Sequence, residues 1–340
     1  MSTQVQVSII MPVRNEGPFL KRAIKSILVA GRAVESFEVI VVDGMSDDDT
    51  RSVVEELRQE DDRILLLENP SRTVPHAMNI GIRAASSDVI VRVDGHAEVY
   101  PDFLEKSLSV LAAHPECACV GGPLESVDLD EGSAAISLAM GSRFGVGNAR
   151  FRTGGEEGYV DTLAFGAYRT SDLYAVGLFD EDLVRNQDDE LNFRLTSAGR
   201  KIWFTPDIRS RYFVRSSLPK LYRQYFQYGY WKVYVNRKHG QFTNLRQLVP
   251  PLLVVSIALL ALSAPFVAAA RVLLAVELFA YLAAAFFFAS RLTTETRVQF
   301  AVVKAFITLH MSYGLGYLAG VRDFLLLRRP PGTGATELSR

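Results

Sequence analysis

Three apolar runs in this chain lead directly into groups that can bind ions or exchange protons. VQVSIIMPV (5–13) runs into Arg14-Asn15-Glu16, and FEVIVV (37–42) runs into Asp43-Gly44-Met45-Ser46. DVIVRV (88–93) runs into Asp94-Gly95-His96-Ala97-Glu98. Further along, Gln187-Asp188-Asp189-Glu190 puts three acids side by side in what would be one helical turn. Adjacent acids repel one another, which raises at least one pKa and makes a better proton acceptor near neutral pH. One Asp after a strand is ordinary turn or cap chemistry. Three polar strand ends on one sheet edge point to a site.

The elements that must position these residues read as follows. The three apolar runs and RILLLE (63–68) are short and rich in β-branched residues or leucine, as buried strands are. Between them, Phe19, Leu20, Ala23, Ile24, Ile27 and Leu28 follow helical spacing within 18–30. Val53, Val54 and Leu57 do the same within 48–60, with Asp48 or Asp49 as N-cap. Strands alternating with helices predict an α/β fold with a Rossmann-like, mixed but mainly parallel sheet and flanking helices. In such sheets ligands bind beyond the carboxyl ends of the strands. No GxGxxG follows the first strand, which disfavours a classical dinucleotide site.

The 340 residues carry a net charge of -1, which gives no reason to expect nucleic acid as a partner. The two cysteines, Cys117 and Cys119, alternate in an apolar run, a spacing read as opposite faces of a strand rather than a disulfide. A reduced, cytosolic setting follows, and MSTQVQ lacks a signal-peptide layout. Composition changes at Leu248: from there to Ser290 the only charged residues are Arg271 and Glu277. That predicts two membrane spans, 248–270 and 272–290, with Arg271 at the turn. A third apolar segment, 298–321, is spanning or interfacial, and 328–340 is a polar tail. LPKLYRQYFQYGYWKVYVNRKHG (218–240) interleaves aromatic and basic residues, so 218–247 is expected to lie in the headgroup region, aromatic side down. Basic residues from Arg209 to Arg246 place the preceding domain, 1–217, in the cytosol, on a multi-pass protein of the inner (plasma) membrane.

At this point the ordered stretches carry a resemblance. SIIMPVRNEGPFLKRAIKSI, FEVIVVDGMSDDDT, NPSRTVPHAMNIGIRAASSDVIVRVDGHAEVYPDFLEK, FGAYRTSDLYAVGLFDE and NQDDELNFRLTSAGRKIWFTP together resemble family 2 glycosyltransferases of the A-type fold. The resemblance covers about the first 235 residues and is nearest to the succinoglycan-type glucosyltransferases of bacterial polysaccharide assembly, which carry a DGH motif, a QDDE motif and C-terminal membrane helices. It implies an inverting transfer of one hexose, glucose from UDP-glucose being the natural candidate, onto a membrane lipid-linked saccharide or polyprenyl-type acceptor. Where the wider family has Asp-x-Asp, this chain has Asp94-Gly95-His96. The resemblance therefore implies Asp94 and His96 as metal ligands, with Glu98 as a substitute; mixed O/N ligation suits Mn²⁺ better than Mg²⁺. It places Asp43 against the base, Pro12, Arg14, Asn15 and Glu16 along the nucleotide cleft, and His76 and Asn79 near the sugar or nucleotide. Aligned on Leu191 and Arg194, Asp188 is the implied catalytic base and Asp189 the runner-up. Processive synthases of the broad family carry Gln-x-x-Arg-Trp, whereas here Gln227-Tyr228-Gly229-Tyr230-Trp231 lacks the Arg. Single addition is expected; a processive synthase and a non-catalytic membrane scaffold are the alternatives.

Overall fold

The computed structural model describes residues 5–128, 131–213, 217–242 and 245–331. The last part of the expected polar tail, 332–340, lies outside them. The chain divides into two units, Met1–Glu125 with Ala149–Phe213, and Ser126–Asn148 with Val214–Arg340.

The first unit opens with β1 (Val7–Val13), α1 (Gly17–Ala30), β2 (Phe37–Asp43), α2 (Thr50–Glu60) and β3 (Ile64–Glu68). Next come α3 (Val74–Ala84), β4 (Val89–Arg92), β5 (Ala97–Val99), α4 (Phe103–Ala113), β6 (Cys117–Gly121) and β7 (Leu124–Val127). After an excursion into the second unit through α5 (Glu131–Met140) and α6 (Arg143–Val146), the chain returns with α7 (Arg150–Thr153), β8 (Gly158–Tyr159), β9 (Gly166–Arg169) and α8 (Thr170–Ala175). It ends with α9 (Gln187–Ser197), β10 (Lys201–Phe204) and β11 (Ser210–Phe213).

Eight strands form one sheet in the order β3-β2-β1-β4-β9-β6-β10-β8. β1 runs parallel to β2 and β4, while β9 lies antiparallel between β4 and β6. The sheet is thus mixed, as expected. Every residue of β1 and β2 is buried, which is why both read as unbroken apolar runs. The chain steps from β1 outwards to β2 and β3, then returns to place β4 on the other side of β1. The β1–β4 gap is therefore a topological switch point, where an open sheet binds ligands. Pro12 helps to open it. Val93 N–H donates to Ile10 O, so residue 12, two positions on, also faces β4. Proline has no N–H there, so the ladder cannot extend.

Helix α2 starts at Thr50, so that of the two expected N-cap positions it takes Asp49. Asp49 stands at its N-cap without a side-chain cap bond, and Asp48 Oδ1 accepts from Thr50 N–H at 2.9 Å. The cysteines need a correction of reasoning. Residues two apart in a regular strand share a face. Here β6 pairs irregularly with β10, so that Cys117 faces Lys201 and Cys119 faces the next residue, Ile202. A bulge, not plain alternation, separates the thiols; both are buried and free.

In the second unit, α10 (Leu218–His239), α11 (Val249–Ser263), α12 (Ala268–Leu292) and α13 (Thr296–Gly320) follow in sequence. Three helical stretches, Leu245–Ser263, Ala268–Leu292 and Thr296–Leu326, are long and apolar enough to cross a membrane. The break between the first two falls at residues 264–267, so Arg271 lies inside the first turn of α12 rather than at the turn. The first unit was expected to be continuous, but α5 belongs with the C-terminal helices. It packs on α13 and buries Ala135, Ile136, Ala139 and Met140. The aromatic segment also differs from expectation. Helix α10 packs along α13, and Gln227, Tyr230 and Trp231 are buried, the last two against Phe324. Protein, not headgroup, covers much of its aromatic side. Gly229 and Gly316 make this possible. A Cβ on Gly229 would come within 2.1 Å of Tyr313 O, and one on Gly316 within 2.0 Å of Phe226 O.

Candidate active site

The carboxyl ends of β1, β2 and β4 carry three loops that are laced together by backbone and side-chain bonds. Asn15 and Met45, both at left-handed backbone angles (φ 54 and 58), turn the loops after β1 and β2 towards each other. Asn15 N–H donates to Ser46 Oγ at 2.9 Å, and Asp47 N–H returns to Asn15 Oδ1 at 3.0 Å. Glu16 N–H donates to Thr50 Oγ1 at 2.8 Å. Arg14 is half-buried, its side chain beside Gly44.

Asp43, at the end of β2, is 0% exposed. Its carboxylate accepts the amide and hydroxyl of Ser46 and faces Arg51 Nη1 at 3.5 Å. A carboxylate with no exposed surface shapes its loop, which differs from the direct contact with a base N–H expected of it.

Asp94, Gly95 and His96 follow β4 across the gap from Glu16. His96 is 8% exposed, and its Nδ1 lies 2.9 Å from Glu16 Oε1. A carboxylate accepts, so Nδ1 carries the proton and the lone pair sits on Nε2. The imidazole also packs edge-on against Tyr212, 4.7 Å between centroids. Gly95 permits this approach. A Cβ there would lie 2.9 Å from Val13 Cγ1 and 3.1 Å from Glu16 Cγ.

Arg92, the last residue of β4, is 4% exposed and joins two acids. Its Nε and Nη2 donate to Asp94 Oδ1 at 3.0 and 2.9 Å, and its Nη1 donates to Asp188 Oδ1. Asp188, in the first turn of α9, is thereby held beside the loop after β4. Burial pushes its carboxyl up to about 6; Arg92 opposes that rise and Asp94 adds to it. The two acids beside Arg92 hold its guanidinium above its ordinary value against the opposing effect of burial.

Glu190 and Asn192, further along α9, hold the helix in place. Glu190 makes a two-pronged ion pair with Arg194 at 2.7 Å, and Arg194 also donates to Val176 O and Leu178 O. Asn192 Nδ2 donates to Thr162 Oγ1 and Leu163 O, both at 3.1 Å. These bonds fix the pitch of α9, so that Asp188 makes the ion pair to Arg92. Asp189, one residue on, is half-buried.

The structure therefore joins Glu16 to His96, and Asp94 to Asp188 through Arg92, at one sheet edge. It does not bring every expected residue there. Asn79 is buried, and its amide donates to Phe179 O at 2.9 Å and accepts from Phe179 N–H at 2.9 Å, tying α3 to the 178–181 loop. His76 bonds Thr73 Oγ1 at 2.8 Å and faces Glu181 at 3.5 Å. Glu98 pairs with Arg22 at 2.7 Å. The sequence reading passed over Arg92 and Tyr212. A charged residue inside DVIVRV was the available signal, since a buried cation in a strand needs partners. Nothing in the local sequence marks Tyr212.

As a cation site, Asp94 and His96 fit in one specific respect. The Glu16–His96 bond is the carboxylate–histidine pairing that orients an imidazole and leaves its other nitrogen for a metal. Two protein ligands would leave the remaining positions to a diphosphate and water. Among the described residues, the one group of three or more convergent donors is His114, Glu116 and Cys117, at the opposite edge of the sheet.

Residues 8–174 match the model of glycosyl transferase family 2. The chain is 30% identical over 251 residues to succinoglycan biosynthesis protein ExoA of Rhizobium meliloti (strain 1021), covering 73% of this chain and 75% of the relative. It is also 30% identical to a dolichyl N-acetyl-alpha-D-glucosaminyl phosphate 3-beta-D-2,3-diacetamido-2,3-dideoxy-beta-D-glucuronosyltransferase of Methanococcus voltae, covering 72% and 77%. Among solved structures it resembles the mannosyltransferase PcManGT from Pyrobaculum calidifontis in complex with GDP-Man and Mn²⁺. The TM-score is 0.59 at 20% identity, over 91% of this chain and 88% of that one, a likeness of fold.

Proposed function

This chain belongs to glycosyl transferase family 2 and is a glycosyltransferase, and from that premise we propose an inverting, metal-dependent transfer of a single hexose from a nucleotide sugar to a lipid-linked acceptor. UDP-glucose is the donor we favour, and the acceptor is a saccharide on a polyprenyl-type lipid. The relatives support this class of acceptor: one is named for polysaccharide biosynthesis and the other for transfer to a dolichyl-linked sugar phosphate. The single observation that carries the mechanism is the placing of Asp188 beside Asp94 through Arg92, at the switch point of the sheet.

In this reading Asp188 accepts the proton of the acceptor hydroxyl as that oxygen attacks the anomeric carbon. One base suffices for inversion, whereas a double displacement would need a separate nucleophile. A carboxyl titrating near 6 is ionised at neutral pH yet basic enough to take a proton. Asp94 and His96 would hold Mn²⁺ or Mg²⁺, which supplies Lewis-acid neutralisation of the leaving diphosphate. Glu16 keeps His96 in the ligating tautomer. Arg14, Asn15 and the loop shaped by Asp43 line the nucleotide side, and Pro12 opens the gap. The catalytic unit faces the cytosol, and the apolar helices carry the enzyme in the membrane.

Incubation of detergent-purified protein with a panel of labelled nucleotide hexoses, a lipid-linked acceptor extract and Mn²⁺ tests this. One added sugar of inverted anomeric configuration is the expected product, lost in excess chelator. Retention of configuration, or full activity in chelator, overturns the mechanism. A ladder of added sugars would favour the processive reading.

A further inference from the structure

A second cluster of donors lies at the other end of the sheet. β6 runs parallel to β4, by way of the antiparallel β9, so its first residue is at the edge opposite the candidate active site. There the turn between α4 and β6 holds His114, Glu116 and Cys117, whose donor atoms all lie within 4.8 Å of one another. We propose that these three side chains form a cation site for a borderline-soft metal of the zinc class, independent of any metal at Asp94 and His96.

The donor spacing is the first argument. Tetrahedral zinc with bonds of about 2.0–2.1 Å to N and O and about 2.3 Å to S sets neighbouring ligand atoms roughly 3.3–3.6 Å apart. In the structure, His114 Nδ1 lies 3.3 Å from Glu116 Oε1, and Cys117 Sγ lies 3.8 Å from the same oxygen. Two of the three separations are thus close to the edges of one tetrahedral face, and the third is no more than 4.8 Å.

The turn is also built to hold them there. Cys117 N–H donates to His114 O at 3.0 Å, closing the turn. Arg169 reaches across from β9 and donates to the carbonyls of Cys117 at 3.0 Å and of Leu111 and His114. The His114 ring stacks on Trp203 at 4.0 Å, which fixes its plane. Tyr159 hydroxyl donates to Glu116 Oε1 at 2.9 Å, the kind of outer bond that orients a ligating carboxylate. The nearby cations bond within and around this turn: besides Arg169, Arg200 Nη2 donates to Pro115 O at 3.1 Å. Arg200 pairs with Asp172 at 2.8 Å, and Lys201 Nζ sits 4.3 Å from the centroid of the Tyr159 ring.

The donor set defines the cation. A thiol sulfur with an imidazole selects zinc-like ions over Mg²⁺ or Mn²⁺, which prefer oxygen. Coordination breaks the S–H bond of Cys117, releases its proton to solvent and leaves both electrons on sulfur for the metal.

Cobalt substitution gives a readout that Asp94 and His96, having no sulfur, cannot produce. Full-length, detergent-solubilised, reduced protein is titrated with Co²⁺ and then with Zn²⁺. A thiolate-to-cobalt charge-transfer band should appear, saturate at one equivalent and vanish on Zn²⁺ addition. The band should be absent in Cys117→Ser, retained in Cys119→Ser and retained in Asp94→Ala. Tyr159→Phe should weaken affinity by about 10–100-fold. Should Cys117→Ser fail to fold, His114→Gln serves instead, with loss of one-equivalent saturation expected. No band in the wild type, an unsaturable band, or a band unchanged in both ligand variants would overturn the site. Loss of catalytic metal dependence alone would leave it standing.

Discussion

Asp188→Asn removes the proposed base with almost no change of shape. The amide keeps an oxygen to accept from Arg92 Nη1 but cannot take a proton at neutral pH. General-base catalysis is worth about 10²–10⁴ in rate, or roughly 3–5.5 kcal/mol of barrier. Turnover should fall by that factor, while donor affinity measured by calorimetry changes little. The pH profile gives an independent number. Asp188 titrates up at about 6, and its ionised form is the working one, so kcat/KM of the wild type should fall tenfold per unit below about pH 6. An ordinary exposed Asp would put that limb near 4. Unfolding through this group cannot imitate the effect. A carboxyl raised in the native state binds more protons there than in the unfolded chain, so between about pH 4 and 6 its contribution to stability grows as pH falls. The assay is initial-rate transfer from pH 4.5 to 8.5 for wild type, Asp188→Asn and Asp189→Asn. If Asp188→Asn transfers sugar within tenfold of the wild type, the base assignment is wrong. If Asp189→Asn alone is inactive, the register is off by one.

Three further substitutions probe the groups around that base. Arg92→Gln removes the charge that opposes the rise of Asp188, so the acidic limb of kcat/KM should move above pH 6; burying two acids without their partner should cost about 3–5 kcal/mol in denaturant unfolding. A limb that stays at 6 would show that Arg92 does not tune Asp188. Glu16→Gln should leave the melting temperature nearly unchanged but raise the Mn²⁺ concentration for half-maximal activity by about 10–100-fold, because His96 loses the carboxylate that fixes its tautomer. Gly95→Ala drives a methyl to 2.9 Å from Val13 and towards Glu16, which should cost about 1–3 kcal/mol of stability and lower activity; a variant with wild-type melting and activity would refute that close approach.

The parts of the fold legible in sequence were those set by burial on both faces. β1 and β2 bury every residue, so their apolar runs gave their positions to within two residues. The helices α1 and α2 were legible because each buries one face, with Leu20, Ala23, Ile24 and Ile27 in α1 and Val54 and Leu57 in α2. The insertion of α5 into the C-terminal unit was not legible: a short stretch such as SAAISLAM shows that it packs, but not on which partner. The same held for α10, whose aromatic and basic mixture fits a lipid headgroup as well as it fits a neighbouring helix. At the site, residue types were readable but pairings were not. Asp43 and Asp94 both follow apolar strands, yet one folds back into its own loop and the other meets Arg92. Only the three-dimensional course of the loops separates them. Likewise residue type alone does not separate Asp188, Asp189 and Glu190; the resemblance singled out Asp188, with Asp189 as runner-up. The bonds of Arg194 and Asn192, drawn from distant loops, set which of them faces the sheet.

In the proposed mechanism, the charges at the switch point give separate roles to Arg92 and to a cation. Glu16 meets His96, while Arg92 is a permanent cation that bonds both Asp94 and Asp188. Asp94 and Asp188, both ionised, bring one negative charge more than Arg92 offsets, so this row of side chains stays acidic. A nucleoside diphosphate brings negative charge of its own, and repulsion in a partly buried cleft is screened far less than in water. A divalent ion at Asp94 and His96 would cancel the excess of the row. Arg92 alone cannot, yet without it the two aspartates would repel each other and its opposition to the raised carboxyl of Asp188 would be lost. In the proposed mechanism the arginine thus opposes protonation of the base, and a cation would offset the charge that the donor brings. The two roles separate experimentally: Arg92→Gln acts on the pH limb, whereas Glu16→Gln acts on the metal requirement.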